Sequence, residues 1–214
     1  ISTRFVHRQS SLAPIVELIA QQFSQRPGNY LAFFSSFDYL QQVAQLLAQR
    51  HPHINLWAQS RGMAEGQRQD FLDQFTADSQ GIGFAVLGGA FGEGIDLPGA
   101  RLIGAFIATL GLAQLNPVNE QLKHRMAAIF GAGYDYTYLF PGVQKVVQAA
   151  GRVIRTQQDQ GVVMLIDDRF GDSKVMQLLP RWWTIAPATR IARQPPEQAV
   201  IQGTGQGCAQ PALF

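Results

Sequence analysis

Short apolar runs alternate with amphipathic segments along most of the chain, and this alternation constrains the fold more than any other feature. The apolar runs predict strands at residues 30–36, 54–60, 81–89, 101–109 and 161–168. Apolar residues at helical spacing predict helices at residues 38–50, 65–76, 116–130 and 142–156. Strands that alternate with helices and are apolar on both faces indicate an α/β fold, with a parallel sheet covered by helices on both faces.

Composition excludes several kinds of protein. The 214 residues are 46% hydrophobic and 15% charged, which is typical of a folded globular protein. The single cysteine, Cys208, excludes a disulfide framework, a cysteine-based zinc site and an iron–sulfur cluster held by this chain. No apolar run reaches the roughly 20 residues of a membrane span. We therefore expect no membrane contact and a cytoplasmic location.

The two ends of the chain suggest how it is organised. The chain begins at Ile1 without a methionine, so we expect it to be a piece of a longer protein. From about Gln194 the sequence is rich in Gln, Gly and Pro, and residues 194–214 are interpreted as a flexible tail or linker. Residues 1–193 are then expected to form one domain.

A glycine-rich loop follows the third predicted strand directly. The sequence "GGAFGEGIDLPG" occupies residues 88–99. Loops at the carboxyl ends of parallel strands line the ligand crevice of such sheets, and glycines let the backbone turn tightly and present N–H groups to an anion. Glu93 and Asp96 add carboxylates that can orient an arginine or accept from a sugar hydroxyl. A glycine loop alone does not decide between a binding site and a tight turn.

A second motif, "QAAGRVIRT" at residues 148–156, carries polar residues in an apolar segment. Gln148, Gly151, Arg152 and Arg155 have the offsets i, i+3, i+4 and i+7, which lie on one face of a helix. The remaining residues are apolar and can pack on the protein. The motif predicts a mostly buried helix with a narrow stripe of guanidinium groups, and with a glycine that permits close approach.

The chain lacks the loop that would hold a triphosphate by itself. That loop needs the pattern G-x-x-x-x-G-K-[ST], and none of the three lysines, Lys123, Lys145 and Lys174, follows a glycine. Asp167 and Asp168 end the last predicted strand, where they are favoured to cap or to pair with Arg169, and we predict no metal site. Arginines without a phosphate loop suit a domain that completes the ATP site of another domain, since arginine fingers accelerate phosphoryl transfer by ~10³–10⁵.

Together these motifs resemble those of superfamily 2 helicases, and more narrowly the XPD/DinG branch of 5′→3′ DNA helicases. "GGAFGEGIDL" and "QAAGRVIR", in this order and separated by a helical insertion at about 110–141, resemble motifs V and VI. "LAFFSSFDYL" (31–40) resembles motif IV, and "GVVMLIDDRF" and "LPRWW" resemble the end of that domain. The resemblance covers about residues 10–185 and implies the second RecA-like motor domain, without its own P-loop.

The resemblance also implies roles for individual residues. Arg152 and Arg155 would reach the γ-phosphate of ATP, with Arg155 as the principal arginine finger, and Gln148 would lie near the phosphates or the attacking water. Nucleotide contacts are implied for Gly94 and Gly151. Asp96 would contact the nucleotide ribose or orient the motif VI arginines, and Glu93 would couple the loop to DNA or to the nucleotide. Contacts with single-stranded DNA are implied for Ser35, Ser36, Gly89, Ala90, Phe91 and Gly92, the last four through their backbone. Arg61, just after the second predicted strand, is a further candidate for a DNA phosphate.

The implied cofactor is ATP with Mg²⁺, bound mainly by an absent first motor domain of the same polypeptide. The implied partners are that domain and single-stranded DNA, and an iron–sulfur cluster is possible in the absent half only. The isolated chain is expected not to hydrolyse ATP.

Structural interpretations compete with several of these roles. Ser35 and Ser36 are equally well placed to cap the helix near Asp38, and Asp38 itself is predicted as its N-cap. Arg61 can be a solvated loop residue, and the arginines of the motif VI segment can form structural salt bridges. Three other functions stay open: a stand-alone nucleotide-sensing or protein-interaction module with a degenerate helicase fold, a small-molecule enzyme that uses a nucleotide-sugar, and an RNA helicase domain.

Overall fold

A parallel sheet forms the centre of the protein. The computed structural model describes residues 1–92, 95–154 and 161–186. The strands in these ranges are β1 (Asn29–Phe34), β2 (Leu56–Ala58), β3 (Gly81–Val86), β4 (Gly104–Ala108) and β5 (Val162–Leu165). They are all parallel and form one sheet in the order β2-β3-β1-β4-β5.

Helices connect these strands. They are α1 (Arg8–Gln25), α2 (Phe37–Arg50), α3 (Glu65–Asp73), α4 (Pro117–Phe130), a π-helix (Asp135–Leu139), α5 (Phe140–Ala150) and α6 (Ser173–Leu178). Short 3₁₀ helices lie at Phe5–His7, Gly99–Arg101 and Asp168–Gly171. None of the helices in the described ranges is long and apolar enough to span a membrane.

The central strand β1 is buried on both faces, and its side chains alternate between two apolar layers. Leu31 and Phe33 pack in one layer with residues of α3, α5 and α6. Tyr30 and Phe34 pack in the other layer with residues of α1 and α2. The period of two places successive side chains on opposite faces of the sheet, and the predicted α/β fold with helices on both faces is therefore confirmed.

Helix α1 is absent from the sequence-based prediction, which assigned no element before residue 30. Its buried residues Leu12, Ile15, Val16 and Ile19 have helical spacing and pack against α2 and the sheet. Pro14 lies inside the helix and removes one backbone donor. A proline in the middle of a periodic segment normally ends a helix, which explains why this helix was not predicted.

The N-cap of α2 is Ser36, and the prediction of Asp38 as the cap is wrong. The Ser36 hydroxyl accepts a hydrogen bond from the backbone N–H of Tyr39 at 3.3 Å. Asp38 lies instead in the first turn of α2, where its carboxylate is stabilised by the partial positive charge of the helix N-terminus. The capping role considered for the serine pair is thus confirmed for Ser36.

The helix predicted over residues 142–156 ends earlier, at Ala150. The backbone N–H groups of Arg152 and Val153 donate to residues three positions back, Ala149 and Ala150, both at 3.1 Å. Bonds of this kind tighten the last turn of a helix and satisfy its terminal carbonyls. Gln148 is therefore helical, whereas Gly151 and Arg152 belong to the terminal turn, so the predicted helical stripe does not extend to Arg152.

The helical insertion predicted at about 110–141 corresponds to α4 and the π-helix. The Tyr138 hydroxyl donates to Glu120 Oε1 at 2.7 Å and joins the two helices. The predicted tail at 194–214 lies outside the described residues, so the domain boundary near residue 193 stays a prediction.

Replacing Ser36 with alanine removes the N-cap of α2 and leaves one helix donor without its partner. We expect Ser36→Ala to lower the free energy of unfolding by about 1 kcal/mol, measured by urea denaturation. Ser60→Ala is the matched control, since Ser60 is exposed in a loop and exposed substitutions change stability by about 0.5 kcal/mol or less. Equal stability of the two variants would show that the cap does not stabilise the domain.

Candidate nucleotide and nucleic-acid site

Those candidate residues that the structure describes meet at the carboxyl edge of the sheet, which is where parallel α/β sheets bind ligands. Ser35 follows β1, and the glycine loop follows β3. The N–H of Leu87 donates to the carbonyl of Phe34 at 2.9 Å, so the two segments leave the sheet at the same level. Asp167 leaves the same edge after β5.

Phe91 anchors the glycine loop in the apolar core. Its ring is only 1% exposed and lies 4.2 Å from the ring centroid of Phe71. The predicted nucleic-acid contact of this residue can therefore only use its backbone. The N–H of Gly89 donates to Val86 at 3.1 Å, and that of Gly92 donates to Gly89 at 2.9 Å. These two amides hold the shape of the loop.

Gly88 turns the loop with a φ of +77°, a conformation that favours glycine, and it makes room for Lys145 of α5. A Cβ atom on Gly88 would lie 3.0 Å from Lys145 Cδ and 3.6 Å from its Nζ. Lys145 forms no hydrogen bond or ion pair with any residue in the described ranges. A lysine thus lies directly beside the exposed part of the glycine loop.

Lys145 is not among the predicted site residues, because its sequence context only excludes it as a P-loop lysine. Lys145 and Gln148 have the offsets i and i+3 on α5, so they lie on the same helix face. The same spacing rule that singled out Gln148 would have found Lys145. Ala90, the other predicted loop contact, is exposed.

Arg152 lies against the second half of the glycine loop. Its Nη1 donates to the carbonyl of Ile95 at 3.5 Å, and the next residue, Asp96, is exposed. Arg152 itself is half-buried, as are Gln148 and Gly151. The two segments that resemble motifs V and VI are therefore in contact. Three predicted site residues lie outside the described residues: Glu93, Gly94 and Arg155.

Two arginines lie near the motif IV serines. Arg61 Nη2 donates to Asp38 at 3.0 Å, its guanidinium lies 5.0 Å from the ring centroid of Phe37, and its side chain is 67% exposed. Arg8 Nη2 donates to the Ser35 hydroxyl at 2.8 Å. Arg8 was not among the predicted residues, because it precedes Ser35 by 27 positions and belongs to the helix that was not predicted.

Asp167 is buried at the end of β5 and pairs with Arg169, as predicted. Arg169 donates to it from Nε at 2.7 Å, from Nη2 at 2.8 Å and from the backbone at 2.9 Å, and the Thr3 hydroxyl donates to it as well. Burial alone would raise the pKa of the Asp167 carboxyl, but the hydrogen bonds from Arg169 and Thr3 outweigh it and lower its pKa to about 2. The N-terminal segment is thereby fastened to the carboxyl edge.

The model of the family described as "Helicase C-terminal domain" matches residues 19–186. The chain belongs to this helicase C-terminal domain family. A "Probable ATP-dependent helicase" of Methanocaldococcus jannaschii is 28% identical over 162 residues, which are 68% of this chain and 24% of that protein. The helicase DinG of Mycobacterium tuberculosis is 23% identical over 178 residues, which are 81% of this chain and 26% of that protein.

Solved structures agree on the fold. A structure of an XPD helicase superposes with a TM-score of 0.67 at 17% identity, over 83% of this chain and 32% of that one. The RecA-like arrangement and the resemblance to the XPD/DinG branch are therefore confirmed. The helicase C-terminal domain spans about a quarter of the length of the curated relatives it matches.

The Asp167–Arg169 pair predicts a pH-dependent stability. Because the carboxyl has a lowered pKa in the folded state, its contribution is complete above about pH 4 and is lost as the pH falls toward 2. We expect Asp167→Asn to destabilise the domain by about 2 kcal/mol at pH 7. We also expect the variant to lose less stability than the wild type when the pH falls from 4 to 2.

Urea denaturation at several pH values measures both effects. Asp70→Asn, on the exposed surface of α3, is the matched control and should behave like the wild type. If the wild type loses no more stability than Asp167→Asn between pH 4 and pH 2, the role of the pair is contradicted.

Proposed function

We propose that this chain is the second motor domain of an ATP-dependent DNA helicase with 5′→3′ polarity, which completes an ATP site held mainly by a first motor domain. The observation that carries the proposal is the contact between Arg152 and the loop at Ile95 and Asp96, at the ligand-binding edge of a RecA-like sheet. The sequence supplies the arginine and the glycine loop but not the P-loop lysine. Its relatives are named ATP-dependent helicases.

Arg152 and Arg155 would neutralise the charge that develops on the transferring phosphoryl group. Such a contribution is worth roughly 4–7 kcal/mol of activation free energy. Arg152 is only half-buried, so its guanidinium can be covered by an approaching domain. Because a second domain supplies this charge, hydrolysis depends on closure of the two domains, and closure in turn depends on the nucleotide.

The other predicted roles belong to the same proposal. Gln148 would lie near the phosphates, and Asp96, Glu93, Gly94 and Gly151 would contact the nucleotide. Mg²⁺ would be bound mainly by the first motor domain, and any iron–sulfur cluster would belong to that half. A cytoplasmic location completes the proposal.

Single-stranded DNA would cross the carboxyl edge above β1 and β3. Ser35, the exposed backbone at Gly88 and Ala90, and Lys145 offer hydroxyl, amide and ammonium donors along this edge. Ser36, Gly89, Phe91 and Gly92 would act mainly by shaping the segments that carry these donors, and Arg61 would lie at the border of the path.

The isolated chain should not hydrolyse ATP, because it lacks the P-loop. We expect phosphate release by the purified 214-residue chain, with and without single-stranded DNA, to equal that of its Arg152→Ala variant. Turnover that is abolished by Arg152→Ala would contradict the proposal, since it would show a complete ATP site within this chain.

In the full-length polypeptide, Arg152→Ala should lower kcat for ATP hydrolysis by about 10³ or more and change the Kd for ATP much less. Arg152→Lys should not restore turnover, because an ammonium lacks the planar pair of donors. Arg26→Ala is the control, since Arg26 is exposed after α1, at the opposite edge of the sheet. Turnover of Arg152→Ala close to that of Arg26→Ala would overturn the assignment.

Unwinding assays on matched DNA and RNA duplexes would separate a DNA helicase from an RNA helicase, because the 2′-hydroxyl is what distinguishes the two substrates. A full-length sequence without a P-loop would favour the stand-alone nucleotide-sensing module instead.

A further inference from the structure

Arg8 occupies an unusual position at the start of α1. Its Nη2 donates to the Ser35 hydroxyl at 2.8 Å, directly after β1. Its guanidinium carbon lies 5.1 Å from the ring centroid of Phe5 and 5.2 Å from that of Tyr39. The guanidinium is thus held beside two aromatic rings at the carboxyl edge of the sheet, and the side chain is half-buried.

The contacts around Arg8 fix its position. The Tyr39 hydroxyl and the Ser11 hydroxyl share a hydrogen bond of 2.5 Å, which holds one ring. The segment that carries Phe5 is fastened by the Thr3–Asp167 hydrogen bond and by the Arg4–Asp168 ion pair at 3.6 Å. A donor that is already positioned binds its ligand with little further loss of conformational entropy.

Arg8 nevertheless has no anionic partner among the residues that the structure describes. No carboxylate in the described ranges forms an ion pair with it, and its Nε is buried without a hydrogen-bond partner. Removing a charge from water without a counter-charge is unfavourable, and aromatic rings compensate for it only in part. An anion bound at this position would supply the missing partner.

Arg61, the other arginine near the motif IV serines, differs from Arg8 because it has an ion-pair partner. Its charge is already balanced by Asp38 at 3.0 Å, and both side chains are at least two-thirds exposed. Because Arg61 is this exposed, water and salt also screen its attraction for any other anion. The cation available for a ligand at the motif IV serines is therefore Arg8.

The Ser35 hydroxyl completes the arrangement. Its oxygen accepts from Arg8, and a hydroxyl that accepts one bond can still donate its own hydrogen. In the described ranges the Ser35 hydroxyl donates to no protein group. A guanidinium and a hydroxyl therefore offer donors to the same small region, which suits the several acceptor oxygens of a phosphate.

We propose that Arg8 and Ser35 together bind one backbone phosphate of single-stranded DNA, and that Arg8 rather than Arg61 supplies the main cationic contact at this position. The inference rests on the proposed function, because it takes the nucleic acid of that proposal as the source of the phosphate.

The test is binding of a fluorescent oligo-dT to the 214-residue chain over a range of salt concentrations. We expect Arg8→Met, which keeps the apolar stem between the rings, to weaken binding about tenfold. The slope of log K against log salt should become shallower by about 0.7, as for the loss of one phosphate contact on a single strand. Arg61→Ala should weaken binding less than Arg8→Met, and Arg26→Ala should bind like the wild type.

Two further variants separate binding from folding. Arg8→Lys keeps the charge but loses the planar donors, so we expect about threefold weaker binding with an unchanged slope. Ser35→Ala removes a neutral donor, so it should likewise weaken binding without changing the slope. Unfolding midpoints of all variants are measured alongside, and if Arg8→Met does not fold, the slopes and affinities of Arg8→Lys and Ser35→Ala decide.

The outcomes distinguish the two proposals. If the wild type binds oligo-dT and Arg8→Met binds it with the same affinity and slope, the inference is overturned and the proposed function is left intact. Full affinity of both Arg8→Lys and Ser35→Ala has the same consequence. A wild-type chain that does not bind oligo-dT overturns both the inference and the proposed DNA contact. Displacement of oligo-dT by inorganic phosphate at matched ionic strength would show a free-anion site and would also overturn the inference.

Discussion

The parallel pairing of β1 with both β3 and β4 is the constraint on which the rest of the structure depends. Phe34 lies in register with Val86 on one side and with Ala108 on the other, so all three strands end at one level. Parallel strands need a crossover between them, and every crossover returns to the amino edge before the next strand begins. The polar segments that follow the strands are therefore collected at the carboxyl edge, although they are far apart in sequence.

The sequence could predict the elements of this sheet because strand and helix periods are local properties. The apolar runs gave all five strands, and most errors were errors of length. The misses have separate physical causes. Pro14 interrupts the helical pattern of α1, so the helix was not predicted from the sequence. Hydrogen bonds of the 3₁₀ type end α5 before Arg152. The contact of Arg8 with Ser35 joins two distant segments, so no local pattern encodes it. Helical spacing places Lys145 on the same face as Gln148, but it does not show that this face lies beside Gly88. Motif resemblance found the loop and the arginine but not these neighbours.

The early end of α5 has an electrostatic consequence for Arg152. A residue in the turn after a helix lies near the carbonyl groups that carry the partial negative charge of the helix C-terminus, and a cation is stabilised there. The carbonyl of Ile95 adds a second dipole of the same sense at 3.5 Å. Both sets of carbonyl dipoles favour the charged guanidinium and orient it beside the glycine loop.

The glycine loop links the two halves of the proposed site. Its first half lies beside Lys145 through Gly88, its middle is anchored in the core by Phe91, and its last residues contact Arg152 through Ile95. Both cations come from α5 and its terminal turn, so α5 contacts the loop on either side of the anchor. A displacement of α5 as two motor domains close would then act on the loop at both ends while its centre stays fixed. Under the proposed function, such an arrangement would transmit a movement at the nucleotide to the backbone that faces the nucleic acid, without a change in the sheet.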